Sequence, residues 1–218
     1  VNKILAVLAS RDRNIPLERM LRSFYWTSTQ ADVAVYIDDD QQEMYAELMT
    51  RLPQVLWHVG PRVGPCKAMN ALAAKHPGYA AYGAATDDCE FAATGWDRWV
   101  MNECEKMPGG IGCLAPFTDA AFNHGSSRMD FPWVSARWLE LLGYLALPGC
   151  YCVYWDVALE ILAEQTHISR ATPEEFRITH DAAISSGASE WFLRDARDAI
   201  LWLAFERPEV LKKLRAEL

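Results

Sequence analysis

Short apolar runs alternate with amphipathic helical stretches through the first half of this sequence, and that order constrains the fold more than any other feature. Residues 3–9 (KILAVLA), 33–37 (VAVYI), 55–59 (VLWHV) and 79–85 (YAAYGAA) are continuous or nearly continuous apolar runs. Such runs mark strands covered on both faces, as in a parallel sheet. Between the first two, Asn14 and Pro16 mark a helix start, and Leu17, Met20, Leu21 and Phe24 follow at helical spacing. Residues 41–51 and 67–75 read as further helices. The repetition predicts an α/β fold with an open, mostly parallel sheet flanked by helices. Ligands of such sheets sit beyond the carboxyl ends of the strands. Two of the predicted strands end in acids, Asp38-Asp39-Asp40 and Thr86-Asp87-Asp88.

The second half is less regular. A helix over residues 95–106, a strand over 111–114, a long loop through 123–127, a helix over 155–165 and a strand over 176–179 are expected. In the tail, Phe192, Ala196, Ala199, Ile200 and Leu203 form a helical stripe, with Arg194, Asp195, Arg197 and Asp198 mostly off it. Pro208 opens a last short helix. The expected organisation is one domain over residues 1–187 and a helical extension over 188–218, packed on it beside the strand that leads to His180.

A chain of 218 residues, 51% hydrophobic, is long enough for a sizeable core. Its net charge of −8 argues against a general grip on nucleic acid. Six cysteines without a Cys-x-x-Cys pair predict reduced thiols and a cytoplasmic location. The direct run from Val1 into a strand predicts no targeting segment. Arg137, Glu140 and Pro148 interrupt the most apolar region, so no membrane span is expected.

Adjacent carboxylates at the end of a buried strand repel each other and call for a positive partner. Asp87-Asp88 is therefore either a solvated turn or a site for Mg²⁺ or Mn²⁺, which prefer oxygen ligands and share substrate phosphates. His180, after the last predicted strand, is either structural or a nitrogen ligand to the same ion, which favours Mn²⁺. Asp156 opens a helix and is either a cap or a general base for an acceptor hydroxyl. Asp38 and Asp39 are either turn residues or contacts to a ribose or base. The loop from Gly60 to Lys67 (GPRVGPCK) lacks phosphate-loop spacing, yet its glycines and the helix after it could approach a diphosphate.

In order along the chain, KILAVLASRDR, VAVYIDDD, GPCKAMNALAAKH, YAAYGAATDDCEF, CYCVYWDVALEILAEQ and FRITHD resemble the family 2-like glycosyltransferases with the GT-A fold. The resemblance implies that Ser10, Arg11 and Asp39 line the base and ribose pocket. Gly64, Lys67 and Asn70 would lie along the nucleotide and its diphosphate. It makes Asp88 the metal ligand of the family's Asp-x-Asp element, with Asp87 beside it and His180 as the later ligand. Thr86 stands where that element has its first Asp. Asp156 would activate the acceptor, which implies inversion. The implied donor is a nucleotide sugar, with UDP-sugar favoured. The acceptor would be a glycan or another hydroxyl, with a hydroxymethylated base in viral DNA less favoured. Two other classes compete: a sugar-phosphate nucleotidylyltransferase, which should show a glycine- and arginine-rich loop where ASRDRNIP stands, and a non-catalytic nucleotide-binding module.

Overall fold

Strand β1 (Ile4–Ser10) lies between two parallel neighbours, β2 (Ala31–Asp38) and β4 (Ala81–Ala84). In the computed structural model, which describes residues 3–118, 131–152, 155–166, 169–171, 176–180 and 189–218, Ile4 through Leu8 have no exposed surface. The alternation of side chains across a strand divides them between two cores. Ile4, Ala6 and Leu8 pack with Leu17, Met20, Leu21 and Phe24 of α1 (Asn14–Thr27). Leu5 and Val7 pack with Cys66, Met69 and Leu72 of α3 (Pro65–Lys75). Helices on both faces explain why the strand reads as unbroken apolar sequence.

Helix α2 (Gln42–Arg51) follows a 3-10 turn at Asp39–Gln41 and leads to β3 (Leu56–Gly60), the edge strand, parallel to β2. The other half of the sheet is built from shorter pieces. Strand β5 (Cys89–Phe91) leaves the main sheet directly after Asp88, and α4 (Trp96–Glu105) covers the α1 face. Then come β6 (Cys113–Ala115), β7 (Phe117–Thr118), β8 (Trp133–Ser135) and α5 (Ala136–Leu142). Helix α6 (Trp155–Thr166), β9 (Ser169–Ala171), β10 (Arg177–His180), α7 (Ser189–Phe205) and α8 (Arg207–Glu217) complete the described elements. Among the described residues the main sheet has seven strands in the order β3-β2-β1-β4-β8-β6-β9, of which β8 is antiparallel to its neighbours. A small sheet, β5-β10-β7, stands beside it.

The antiparallel insertion depends on a glycine. Gly83 pairs with Trp133, and a Cβ on Gly83 would run into the Trp133 indole. That indole belongs to an aromatic cluster with Trp96 and Phe176, whose rings stack at 5.4 Å and 11°. Phe176 directly precedes β10, so the cluster anchors the small sheet to the large one.

The seven alternating elements of the first half form where their sequences predict: six match within two residues at each end, and α1 starts at Asn14 and runs three residues past Phe24, to Thr27. Helix α3 starts at Pro65 rather than Lys67, because Pro is suited to a first helical position. Strands β5, β7, β8 and β9 and helix α5 are not anticipated; the strands are two or three residues long and carry no periodicity. The loop expected over 123–127 lies outside the described residues. The stripe expected on α7 is rotated. Ile200 is 63% exposed, while Asp195 is fully buried together with Ala199 and Trp202. The cause is polar: the Asp195 carboxylate accepts from the amides of Tyr151 and Cys152. Among the described residues no helix is long and apolar enough to cross a membrane, and all six cysteines are free thiols.

At the sheet edge, Lys75 Nζ donates to His58 Nδ1 at 2.9 Å, and the His58 and His76 Nε2 atoms lie 2.7 Å apart. The ammonium leaves the His58 proton on Nε2, where it is donated to His76. This chain ties β3 to the end of α3 only while both rings are neutral. Burial, and then Lys75, holds both imidazoles below their ordinary pKa. Protons therefore bind the unfolded chain more readily. The associated stability should be complete above about pH 6.5 and decline as pH falls through that value. The melting temperature of the wild type should drop more steeply between pH 7.5 and 5.5 than that of His76→Asn. Parallel curves would show that the chain contributes nothing.

Candidate functional site

Because β1, β2 and β4 run parallel, their carboxyl ends share one edge and bring Ser10, Asp38 and the 85–88 segment together. Asp87 and Asp88 are buried, at 6% and 4% exposure. Ser10 Oγ donates to Asp87 Oδ2 at 2.7 Å. Its hydroxyl proton thus used, Ser10 accepts from Tyr45 Oη at 2.9 Å, and Tyr45 in turn accepts from the Arg13 amide at 3.0 Å. Arg13 Nη1 reaches both acids, at 3.1 Å from Asp87 Oδ1 and 2.8 Å from Asp88 Oδ2.

Electrostatics follow from this geometry. Burial raises the Asp87 pKa, and the neighbouring Asp88 adds to the effect, against the opposing pull of Ser10 and Arg13. Burial disfavours the Arg13 charge, but the attraction of Asp87 and hydrogen bonds to both acids override it and raise its pKa. A second cluster lies at the end of β2. Arg11 bonds Asp38 Oδ2 at 2.9 Å and both oxygens of Asp40 at 2.6 Å, while Asp39 is exposed. The turn between the two arginines passes through Asp12 at φ 58°, a left-handed conformation that Asp tolerates better than most residues.

Among the expected nucleotide residues, Ser10 is buried, with its hydroxyl donated to Asp87. Asp38 is buried, Arg11 half-buried and Asp39 exposed at the end of β2, and Lys67 is exposed in the first turn of α3. Asn70 serves the scaffold. Its side-chain amide accepts from Leu145 and Ala146 N–H at 2.9 and 2.8 Å and donates to Ala146 O at 2.7 Å. Gly64 caps α3 at φ 86°, and a Cβ there would enter the Tyr151 ring. The Tyr151 carbonyl accepts from Cys66 N at 3.1 Å. One amide of the helix start that could have met a diphosphate is therefore already paired.

Sequence reasoning missed the residue that holds this wall. Asp195 of α7 accepts from Tyr151 N at 3.0 Å and Cys152 N at 2.7 Å. A buried carboxylate facing two amides is invisible to hydrophobic periodicity, which assigns charges outward. Arg13 and Tyr45 were missed too; the only signal was Arg13 two places after Arg11. Asp156 is the second residue of α6 and half-buried, with Oδ1 accepting its neighbour Val157 N at 2.9 Å. The thiol of Cys152 is pushed up by burial, then by Asp195 and Asp156, and pulled down by Arg13.

The backbone of His180 pairs with Cys89, the residue after Asp88. The register brings together the two positions expected to share a metal; the His180 side chain lies outside the described residues. Among the described residues no group of three or more His, Cys, Asp or Glu is arranged to hold a metal ion. In donor chemistry the acid pair fits a hard divalent cation, because its carboxylates leave the rest of the shell to phosphate oxygens and water. A separate cavity of about 570 Å³, between α3 and α5, is lined by Tyr79, Tyr82 and Glu140 among others. The Tyr79 and Tyr82 hydroxyls are used by Asp32 and the His76 carbonyl, so it offers little chemistry.

Asp195→Ala should strip the acceptor from two amides and lower stability by roughly 2–4 kcal/mol. Urea denaturation checks this, and Asp195→Asn, which keeps one acceptor, should lie between. An Ala variant as stable as the wild type would remove Asp195 from the account of this wall.

No family model and no curated protein matches the sequence. Solved structures do resemble it. A crystal structure of S. aureus TarS gives a TM-score of 0.64 at 10% identity, over 97% of this chain and 42% of that one. TarS 1-349 in complex with UDP gives 0.64 at 10% identity, over 97% of this chain and 70% of that one. The same TarS fragment in complex with UDP-GlcNAc gives 0.63 at 9% identity, over 99% and 72%. The chain spans less than half of the longer TarS structure. At such identity the likeness shows the fold: a GT-A-type α/β arrangement, its mostly parallel sheet flanked by helices.

Proposed function

We propose that this chain is a glycosyltransferase that moves a sugar from a nucleotide-diphosphate donor, a UDP-sugar by preference, to an acceptor hydroxyl. The observation that carries this reading is the buried acid pair at the carboxyl edge, with the backbone of His180 registered beside it. The TarS structures with UDP and UDP-GlcNAc support the choice of donor, since they share the fold. The net charge of −8 favours a glycan or other hydroxyl acceptor over DNA.

In this reading Arg11, Asp38 and Asp39 meet the base and ribose at the rim, and Lys67 meets the diphosphate. Ser10 and Tyr45 hold Asp87 in place, so that Asp88 presents its carboxylate beside His180. These two would hold Mn²⁺ or Mg²⁺, which when bound neutralises charge on the leaving diphosphate. Asp156 takes the proton of the acceptor hydroxyl as it attacks the anomeric carbon, and single displacement inverts that centre. Asn70 and Asp195 act at one remove, by fixing the backbone at 145–146 and 151–152.

A panel of nucleotide sugars with Mn²⁺, scored for release of the nucleoside diphosphate, tests the reading. One UDP-sugar should be hydrolysed slowly without acceptor. Asp88→Ala should abolish release, and Asp156→Asn should lower transfer by about 10²–10⁴-fold with donor affinity nearly unchanged. Tight UDP binding with no release from any donor would instead make the chain a nucleotide-binding module.

A further inference from the structure

We propose that Arg13 is a resident counter-cation of the acid pair, displaced when a divalent ion and a nucleoside diphosphate bind. This rests on the glycosyltransferase reading of the same site. Two adjacent carboxylates whose side chains are 8% and 5% exposed would repel each other in a medium of low dielectric. A single nitrogen, Arg13 Nη1, meets one oxygen of each. A buried pair of acids is tolerable when it is paired and hydrogen-bonded in this way.

The backbone prepares the guanidinium for this post. The left-handed Asp12 turns the chain sharply between β1 and α1, and the Arg13 amide is held by Tyr45. The effect is to send Arg11 to Asp38 and Asp40 and Arg13 the other way, to Asp87 and Asp88. The Arg13 side chain keeps a quarter of its surface in solvent, which gives it a route outward.

Competition follows from distance. A divalent ion bound to Asp88 would stand about 2.0–2.6 Å from a carboxylate oxygen. The guanidinium nitrogen already stands 2.8 Å from Asp88 Oδ2. An ion on Oδ2 would compete with the guanidinium for the same oxygen, and an ion on either oxygen of Asp88 would repel a guanidinium held this close. With no nucleotide present, the arginine therefore opposes the metal. A diphosphate changes the balance, because it offers the released guanidinium oxygen acceptors that it can grip in a forked geometry. Metal and nucleotide then bind with positive coupling, and the coupling passes through Arg13. Donor and ion would load together, and the empty site would not collect metal by itself.

The test is Mn²⁺ binding to the full chain, by calorimetry and by the electron paramagnetic resonance of the free ion, with and without UDP. Arg13→Gln removes the charge, and Arg13→Lys keeps it without the fork. Arg13→Gln should bind Mn²⁺ alone at least about tenfold more tightly than the wild type, and UDP should strengthen that binding less. Arg13→Lys should fall between, and it also carries the test if the Gln variant does not fold. Mn²⁺ affinity equal to or weaker than wild type in both variants would overturn the counter-cation role while leaving the metal site intact. Failure of every protein to bind Mn²⁺, even with UDP, would overturn the metal reading and this proposal together.

Discussion

Double-sided burial of one strand organises the rest of the molecule. With β1 sealed by α1 on one face and α3 on the other, its neighbours must run parallel, since each is reached through a helix that crosses the sheet. Parallel strands put all their carboxyl ends at one edge. Ser10, Asp38 and the acids after β4 meet there because of topology, although they are far apart in sequence. The site is thus a by-product of how the apolar strands are covered, with the polar residues added where the covering stops.

What those residues do is governed by local charge balance. Two arginines, one on each side of a left-handed residue, serve two acid clusters. The rim cluster around Arg11 is partly in solvent, where ion pairs contribute little to stability and can rearrange around a ligand. In the inner cluster the two acids are buried, and loss of Arg13 would leave both without their cation. Adaptability and cost are therefore graded from the rim inward over a few residues.

Much of this was legible in the sequence, for a definable reason. Residues 3–9, 33–37 and 79–85 announce themselves because burial on both faces demands apolar side chains at every position. The acids at the strand ends stand out against that background. Trp133–Ser135 and Cys89–Phe91 do not, since three residues are too few for any period to show. The pairing of His180 with Cys89 was hidden for the same reason, although both His180 and Asp88 had been singled out. Asp195 misled the reading of α7 outright. Its burial is dictated by two amides on a distant loop, and no pattern within the helix records them. Arg13 looked like one more charge in a polar turn; only the three-dimensional approach of the 85–88 segment gives it acids to hold.

The contact between Asp195 and Tyr151 has a consequence in time. During synthesis the segments that carry Ser10, Asp38 and Asp88 leave the ribosome before residues 151–195 do, and β1, β2 and β4 pair with one another without them. Tyr151, whose carbonyl accepts from Cys66 N in the first turn of α3 and whose ring covers Gly64, follows later. The carboxylate that holds its amide comes 44 residues later again, a delay of some seconds at roughly 5–20 residues per second. A growing chain therefore has an acid-lined edge well before it has the opposite wall. Until α7 emerges, the start of α3 stands without the lock that Asp195 later provides.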